Sequence, residues 1–148
     1  FESYVAAVLR KNLDSRQYRV YVQAKGKYLF ELPQKQFALR PDLVIEDLNS
    51  GEKTVLDTKW KLLSPQWHNY GISQADMYQM YAYQKEYAAK QTVLLYPDCE
   101  AIADQKIPFC YSSSSGSLVR VQTLHLDSPI AMVEAVRELL DIASQPSK

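Results

Sequence analysis

Two acids and a lysine stand at the ends of two neighbouring apolar runs in residues 39–63, which read LRPDLVIEDLNSGEKTVLDTKWKLL. Asp42 comes directly before the first run, and Asp57 and Lys59 close the second. Both runs are rich in aliphatic and β-branched residues, and Asn-Ser-Gly-Glu separates them, which is typical of a β-hairpin. The chemistry of this segment therefore depends on how a hairpin arranges its two ends.

An antiparallel hairpin brings Asp42, at the start of one strand, beside Asp57, at the end of its partner. Two carboxylates this close repel each other unless one is protonated or a cation bridges them. Mg²⁺ suits such a pair, because it takes one or two carboxylates and keeps several waters. Side chains alternate along a strand, so Lys59 shares the face of Asp57, where it could orient an attacking water or stabilise negative charge. The side chain of Thr58 is expected to point the other way, with its carbonyl near the same edge.

These three residues have an ordinary interpretation too, since acids and lysines are common at exposed strand ends. A predicted helix over residues 73–90 adds a polar stripe, because Asp76, Gln79 and Tyr83 follow one another at i, i+3 and i+7. We expect Asp76 to be the capping partner of Ser73. Gln79 and Tyr83 could be packing residues, or could bind a phosphate or a base.

The remaining pattern predicts an α/β sandwich around a mixed sheet. Residues 1–13 have helical apolar spacing, and strands are expected on both sides of Gly26. The run TVLLYP is fully apolar, which favours a central strand buried on both faces. Two more strands, IPFCYSS and SLVRVQTLHL, are followed by a helix with Ser128 as its cap and Pro129 at its first turn.

Length and composition point to one soluble globular domain spanning residues 1–148. The chain has 148 residues, 47% of them hydrophobic and 23% charged, with a formal net charge of zero. Zero net charge argues mildly against a dedicated nucleic-acid module, although a local basic strip remains compatible with it. Apolar runs are short and no leader is visible, so we expect a cytoplasmic protein without a membrane span. Because the helical pattern already begins at Phe1, we interpret the chain as the C-terminal catalytic fragment of a longer one.

The order Pro-Asp42, Asp57-x-Lys59 and Gln79-x-x-x-Tyr83 resembles the PD-(D/E)XK nuclease superfamily, in the branch that carries a Gln-x-x-x-Tyr helix. The fuller wording, in FESYV, LRPDLVIED, VLDTKWK, ISQADMYQMYAYQKEY and VLLYP, resembles the McrC family, the nuclease subunits of the McrBC methylcytosine-dependent restriction system. This resemblance extends to about Pro97 and is weaker beyond it. Asp57 stands where the superfamily often has Glu.

The resemblance implies a restriction-endonuclease-like fold, with a central mixed sheet flanked by helices, and a Mg²⁺ cofactor for which Mn²⁺ can substitute. The implied metal ligands are Asp42, Asp57, the carbonyl of Thr58, and Glu2 on the first helix. The same carboxylates act in catalysis with Lys59 and Gln79. The implied DNA contacts are Arg40, Lys61, Gln79 and Tyr83.

The resemblance further implies DNA as substrate and a partner AAA-type GTPase, McrB-like, contacted through a region outside this fragment. No glycine-rich phosphate loop is present, which agrees with a subunit that only cuts. Two alternatives stay open: a RecB-type exonuclease or DNA-repair nuclease with the same core, and a catalytically inactive nuclease fold that binds proteins.

Overall fold

Eight strands and three α-helices make up the described part of the chain. The computed structural model describes residues 1–104 and 109–144, with side chains up to residue 141. The helices are α1 (Glu2–Asn12), α2 (Gln74–Glu86) and α3 (Pro129–Ser144). The strands are β1 (Tyr18–Val22), β2 (Lys27–Phe30), β3 (Gln36–Leu39), β4 (Leu43–Asp47), β5 (Lys53–Thr58), β6 (Gln91–Pro97), β7 (Phe109–Ser112) and β8 (Leu118–Leu124).

Six strands form one mixed sheet in the order β1-β4-β5-β6-β8-β7. The β1, β4 and β5 strands pair antiparallel, β5, β6 and β8 pair parallel, and β7 returns antiparallel to β8. Every residue of β6 is buried, which confirms the predicted central strand. The predicted mixed sheet flanked by helices is therefore confirmed.

Helices cover both faces of this sheet, so that each face has its own core. On one face α1 and α3 contribute Leu9 and Val136 to a cluster that includes Leu56 and Leu95. On the other face α2 contributes Met80 and Tyr83, which lie in one cluster with Val55, Leu94 and Tyr96. Because side chains alternate along a strand, Asp57 and Lys59 point to the α2 face, as Val55 does. The helix α2 therefore decides what surrounds these two residues.

The strands on the two sides of Gly26 do not pair with each other. β1 pairs with β4 in the main sheet, and β2 pairs with β3, a strand absent from our prediction, in a separate two-stranded sheet. The turn at Gly26 lacks the residues that fix a tight hairpin, and twenty residues separate the nearest partners of β1 and β4, Val22 and Leu43. Local sequence therefore could not specify this pairing.

Other predicted bounds hold within a few residues. Helix α2 ends at Glu86 rather than residue 90, and Ala88 beyond it has a positive φ of 48°. The predicted strand IPFCYSS begins outside the described residues, which include only its part from Phe109 onward. Throughout residues 1–104 and 109–144 we find no helix with the length and apolarity that crossing a bilayer requires.

Candidate active site

Asp42 and Asp57 lie opposite each other where the β4–β5 hairpin is open. The last paired residues are Leu43 and Leu56. Asp42 comes directly before Leu43 and Asp57 directly after Leu56, so the two aspartates are the next pair beyond the ladder. The Asp42 N–H donates to Asp57 Oδ1 at 3.4 Å. The predicted proximity of the two acids is therefore confirmed, and it follows from the hairpin register alone.

The side chain of Thr58 takes part in the same arrangement. Asp42 Oδ2 accepts hydrogen bonds from the Thr58 backbone N–H at 2.8 Å and from its hydroxyl at 2.6 Å. We expected this hydroxyl to point away from the acids. Asp42 precedes the first paired residue of β4, and its carboxylate reaches across to the end of β5, where it binds both donors. Thr58 thus holds one carboxylate oxygen of Asp42 in place.

Lys59 lies at the centre of the site. Its ammonium is 2.7 Å from Asp57 Oδ2, 3.2 Å from Asp76 Oδ1 and 3.1 Å from Gln79 Oε1. An ammonium group has three donors, so these three acceptors match its full capacity. The side chain of Lys59 is 23% exposed, so the residue is not closed off from solvent. Gln79 therefore reaches Lys59 from α2.

Asp76 is the site residue that the sequence analysis did not assign. Its backbone N–H donates to Ser73 Oγ at 3.1 Å, so the predicted cap of α2 is present. Its carboxylate pairs with Lys59, so backbone and side chain of Asp76 have different partners. The signal was available in the sequence, because Asp76 precedes Gln79 by three residues and therefore shares its helix face. Because helix capping already accounted for an acid at this position, the ion pair with Lys59 was not predicted.

The electrostatics of the site follow from burial and from the closeness of like charges. Asp57 is 4% exposed. Its pKa is raised to about 6: burial is the largest cause, the hydrogen bond from Lys59 lowers the pKa, and the charge of Asp42 raises it. For Lys59, burial alone would lower the pKa, but the contacts with Asp57 and Asp76 outweigh it and the pKa is raised. Lys59 therefore stays protonated at neutral pH and offsets part of the negative charge.

Two buried tyrosines form the floor of the site. Tyr83 is 3% exposed, and burial, followed by the charges of Asp57 and Asp42, raises the pKa of its phenol. Tyr96 is fully buried; burial and then the charges of Asp76 and Asp57 raise the pKa of its phenol as well. Tyr83 therefore lies below the site in the core, and not on an open surface where it could contact DNA as we expected.

The other expected site residues lie around this centre. Glu2 accepts a hydrogen bond from Gln23 Nε2 at 2.6 Å, and the Gln23 backbone N–H donates to the Asp42 carbonyl at 2.9 Å. Glu2 thus reaches the same end of the sheet, but through Gln23 rather than by direct contact with the aspartates. The Lys61 ammonium donates to the Gly71 carbonyl, and Arg40 is exposed beside Asp42.

The donor set suits a hard divalent cation that keeps much of its water. Over the described residues, no three His, Cys, Asp or Glu side chains are grouped so that they could hold a metal ion. Asp42 and Asp57 nevertheless place two carboxylates together, one of them buried, and Mg²⁺ commonly binds through one or two carboxylates plus waters. These two residues therefore fit Mg²⁺, while Glu2 as a direct ligand stays a prediction.

The fold and the site together define the class: a mixed α/β protein with a carboxylate–lysine site where its central hairpin opens. The family model for the McrBC 5-methylcytosine restriction system component matches residues 1–97, about two thirds of the chain. The chain belongs to this family, which confirms the resemblance to McrC. No curated protein matches the chain.

A solved structure shares the fold. It is described as a refined half-complex from the tetradecameric assembly of Thermococcus gammatolerans McrB AAA+ hexamers with bound McrC. The matched chain is 19% identical, with a TM-score of 0.67. The match covers 96% of the present chain and 32% of the other one, so the chain spans about a third of that protein's length.

Proposed function

We propose that this chain is a metal-dependent DNA endonuclease domain with a PD-(D/E)XK core, the cutting part of a McrBC-type restriction system. The observation that carries the proposal is the position of Lys59, whose ammonium is 2.7 Å from a carboxylate of the Asp42–Asp57 pair. An acid pair with one buried member, beside a fixed cation on the open end of a sheet, is suited to phosphodiester hydrolysis. Membership of the family supports the same assignment.

Mg²⁺ would be held by Asp42 and Asp57, with the Thr58 carbonyl as a further ligand, and when bound it would supply positive charge that stabilises the attacked phosphate. In the reaction, a water oxygen forms a bond to phosphorus and the bond from phosphorus to the leaving oxygen breaks. The Lys59 ammonium would donate to the negative oxygens of that transition state through the donor that it gives to Asp57 Oδ2 in this structure. Gln79 and Asp76 hold Lys59 from α2, so its position does not depend on Asp57 alone.

We further propose a partner with AAA+ architecture, because the solved relative of the same fold belongs to an assembly of McrB AAA+ hexamers with bound McrC. Nucleotide hydrolysis and recognition of the modified base would belong to that partner.

The direct test is digestion of covalently closed circular duplex DNA with Mg²⁺, by the full chain alone and with its AAA+ partner and GTP. Nicked or linear product that requires Mg²⁺ supports an endonuclease. Degradation of linear DNA only would instead indicate the RecB-type exonuclease. Absence of any cleavage under all these conditions would contradict the proposal and favour an inactive binding module.

A further inference from the structure

The β2–β3 sheet and the residues on both sides of it form a basic hairpin, residues 25–40, whose strands are not hydrogen-bonded to the main sheet. Its inner side is anchored, since Leu29 packs against the core beneath α2 and Leu39 is buried there. Its outer part is not covered, because residues 30–38 are all exposed. The basic hairpin is therefore an arm held at its base, with a free tip.

The tip carries apolar side chains that the fold does not bury. Phe30 is 55% exposed, Phe37 is 68% exposed and Leu32 is 85% exposed. The rings of Phe30 and Phe37 meet edge to face with centroids 6.1 Å apart, so they form one patch. Exposed apolar patches of this kind commonly mark binding surfaces.

Phe37 has a backbone conformation that a bulky residue disfavours. Its backbone has a φ of +60°, a left-handed conformation that is strained for a bulky residue and easy for Asn or Gly. A residue that is both strained and 68% exposed is more readily explained by an external contact than by folding.

Positive charge is concentrated on this arm. Residues 25–40 include one acid, Glu31, against the bases Lys25, Lys27, Lys35 and Arg40, in a chain whose formal net charge is zero. Two of these lysines lie over aromatic rings: Lys27 is 5.4 Å from the ring centre of Tyr87, and Lys35 is 5.9 Å from that of Tyr28. The local charge is complementary to a polyanion, although the chain as a whole is not.

The arm also leads directly into the candidate active site. β3 ends at Leu39, and only Arg40 and Pro41 separate it from Asp42. A substrate that contacts the basic hairpin would therefore be within reach of the site.

We propose that the basic hairpin is a duplex-DNA arm: its lysines contact backbone phosphates while Phe30, Leu32 and Phe37 enter a groove against the base steps. Architectural DNA-binding proteins combine Lys or Arg with apolar side chains in this way. A protein partner fits less well, because the cores of protein interfaces are depleted of lysine. The inference rests on the proposed function for the identity of the substrate, but it concerns binding and not cutting.

The test is a binding titration of the full chain on a duplex in EDTA, where no cleavage occurs, repeated over a series of salt concentrations. Each lost phosphate contact lowers the slope of log affinity against log salt by about 0.9. Replacing Lys25, Lys27 and Lys35 by Gln should therefore reduce that slope by about 2 to 3. The matched control is Lys11→Gln, at the end of α1, which should leave the slope unchanged.

The apolar tip should behave differently from the lysines. Leu32→Asn and Phe37→Asn should each weaken duplex binding about fivefold to tenfold with the salt slope unchanged, as expected when contacts to bases are lost. Phe37→Asn should not lower the melting temperature, because Asn accepts the positive φ. Ile130→Asn, at another exposed apolar position, is the control and should bind DNA like the unmodified chain.

The outcomes separate this inference from the nuclease proposal. If the tip and lysine variants bind DNA with unchanged affinity and salt slope, the arm is not a DNA contact, whether or not the chain cuts. If they keep DNA affinity but lose an AAA+ partner, the surface binds protein and the inference is wrong. If the unmodified chain never cuts DNA and these variants still lose affinity as expected, the duplex-DNA arm is supported and only the nuclease proposal falls.

Discussion

The ammonium of Lys59 lies 3.2 Å from the carboxylate of Asp76, a residue on a different element from the aspartate that Lys59 also binds. The cation is therefore held from two sides, by β5 through Asp57 and by α2 through Asp76 and Gln79. In a nuclease of the proposed kind, this arrangement keeps Lys59 in position when Asp57 engages a metal ion.

Asp76→Asn should reduce cleavage by about tenfold, while changing the free energy of unfolding by less than about 1 kcal/mol, since the ion pair is partly exposed. Asp76→Glu should recover part of the activity. Steady-state cleavage rates and thermal melts measure both quantities.

Ser73→Ala is the matched control for Asp76. It removes the hydroxyl that caps the Asp76 N–H and leaves the Asp76 carboxylate in place. It should therefore cost about 1 kcal/mol of stability with little effect on the cleavage rate of the folded protein. If Asp76→Asn shows this same pattern, the Asp76 carboxylate contributes to the stability of the fold and does not act through Lys59.

Lys59→Ala should lower cleavage by about 10²-fold or more without weakening the binding of a divalent ion. Lys59 occupies Asp57 Oδ2 at 2.7 Å and so competes with a cation for that oxygen. Calorimetric titration with Mg²⁺ or Mn²⁺ should show affinity that is equal or higher in the variant. A loss of metal binding with an intact fold would mean that Lys59 organises the metal site instead.

Asp57 should make the metal-free protein less stable as the pH rises. Its pKa is raised from 3.8 to about 6 in the fold, so between these values the folded chain binds more protons than the unfolded one. Stability from this group is therefore lost as the pH increases from about 4 to about 6. In EDTA, the melting temperature of Asp57→Asn relative to the unmodified chain should increase across this range and then level off. A difference that stays constant or shrinks would show that the pKa of Asp57 is not raised.

Variants of Gln79 and Tyr83, both on α2, should have opposite effects: the first on the cleavage rate, the second on stability. Gln79→Ala removes a contact to Lys59. It should lower the cleavage rate clearly while leaving the free energy of unfolding nearly unchanged. Tyr83→Phe removes only a buried hydroxyl and should cost about 0.5–1.5 kcal/mol of stability with cleavage nearly unchanged. Comparing rates and melts of the two variants decides this. A large loss of DNA affinity in Tyr83→Phe would mean that the Tyr83 hydroxyl contacts DNA after all.

The parts of the site that the sequence predicted are those that local geometry determines. A short hairpin register brings Asp42 to Asp57, strand alternation puts Lys59 on the face of Asp57, and helix spacing puts Gln79 on the same face of α2 as Asp76. The side-chain partner of Asp76 and the burial of Tyr83 depend on how α2 docks on the sheet, which no local pattern contains. The same holds for the pairing of β1 with β4.

Strand β3 of the basic hairpin was not predicted, for a different reason. This strand has no buried residue before Leu39, so the alternation that signals a strand is missing. The contact of Glu2 with Gln23 likewise depends on a loop in which Gln23 has a φ of +48°. Exposed strands and loops of this kind leave little signal in hydrophobic periodicity.

The most direct test of the nuclease site is cleavage of closed circular duplex DNA with Mg²⁺ by the unmodified chain, by Asp57→Asn and by Asp47→Asn, with thermal melts of all three. Asp47 lies at the other end of the same hairpin and provides a matched carboxylate control. We predict Mg²⁺-dependent cutting by the unmodified chain and by Asp47→Asn, and none by a fully folded Asp57→Asn. Cleavage by folded Asp57→Asn within a few-fold of the unmodified chain would contradict the assignment of this site.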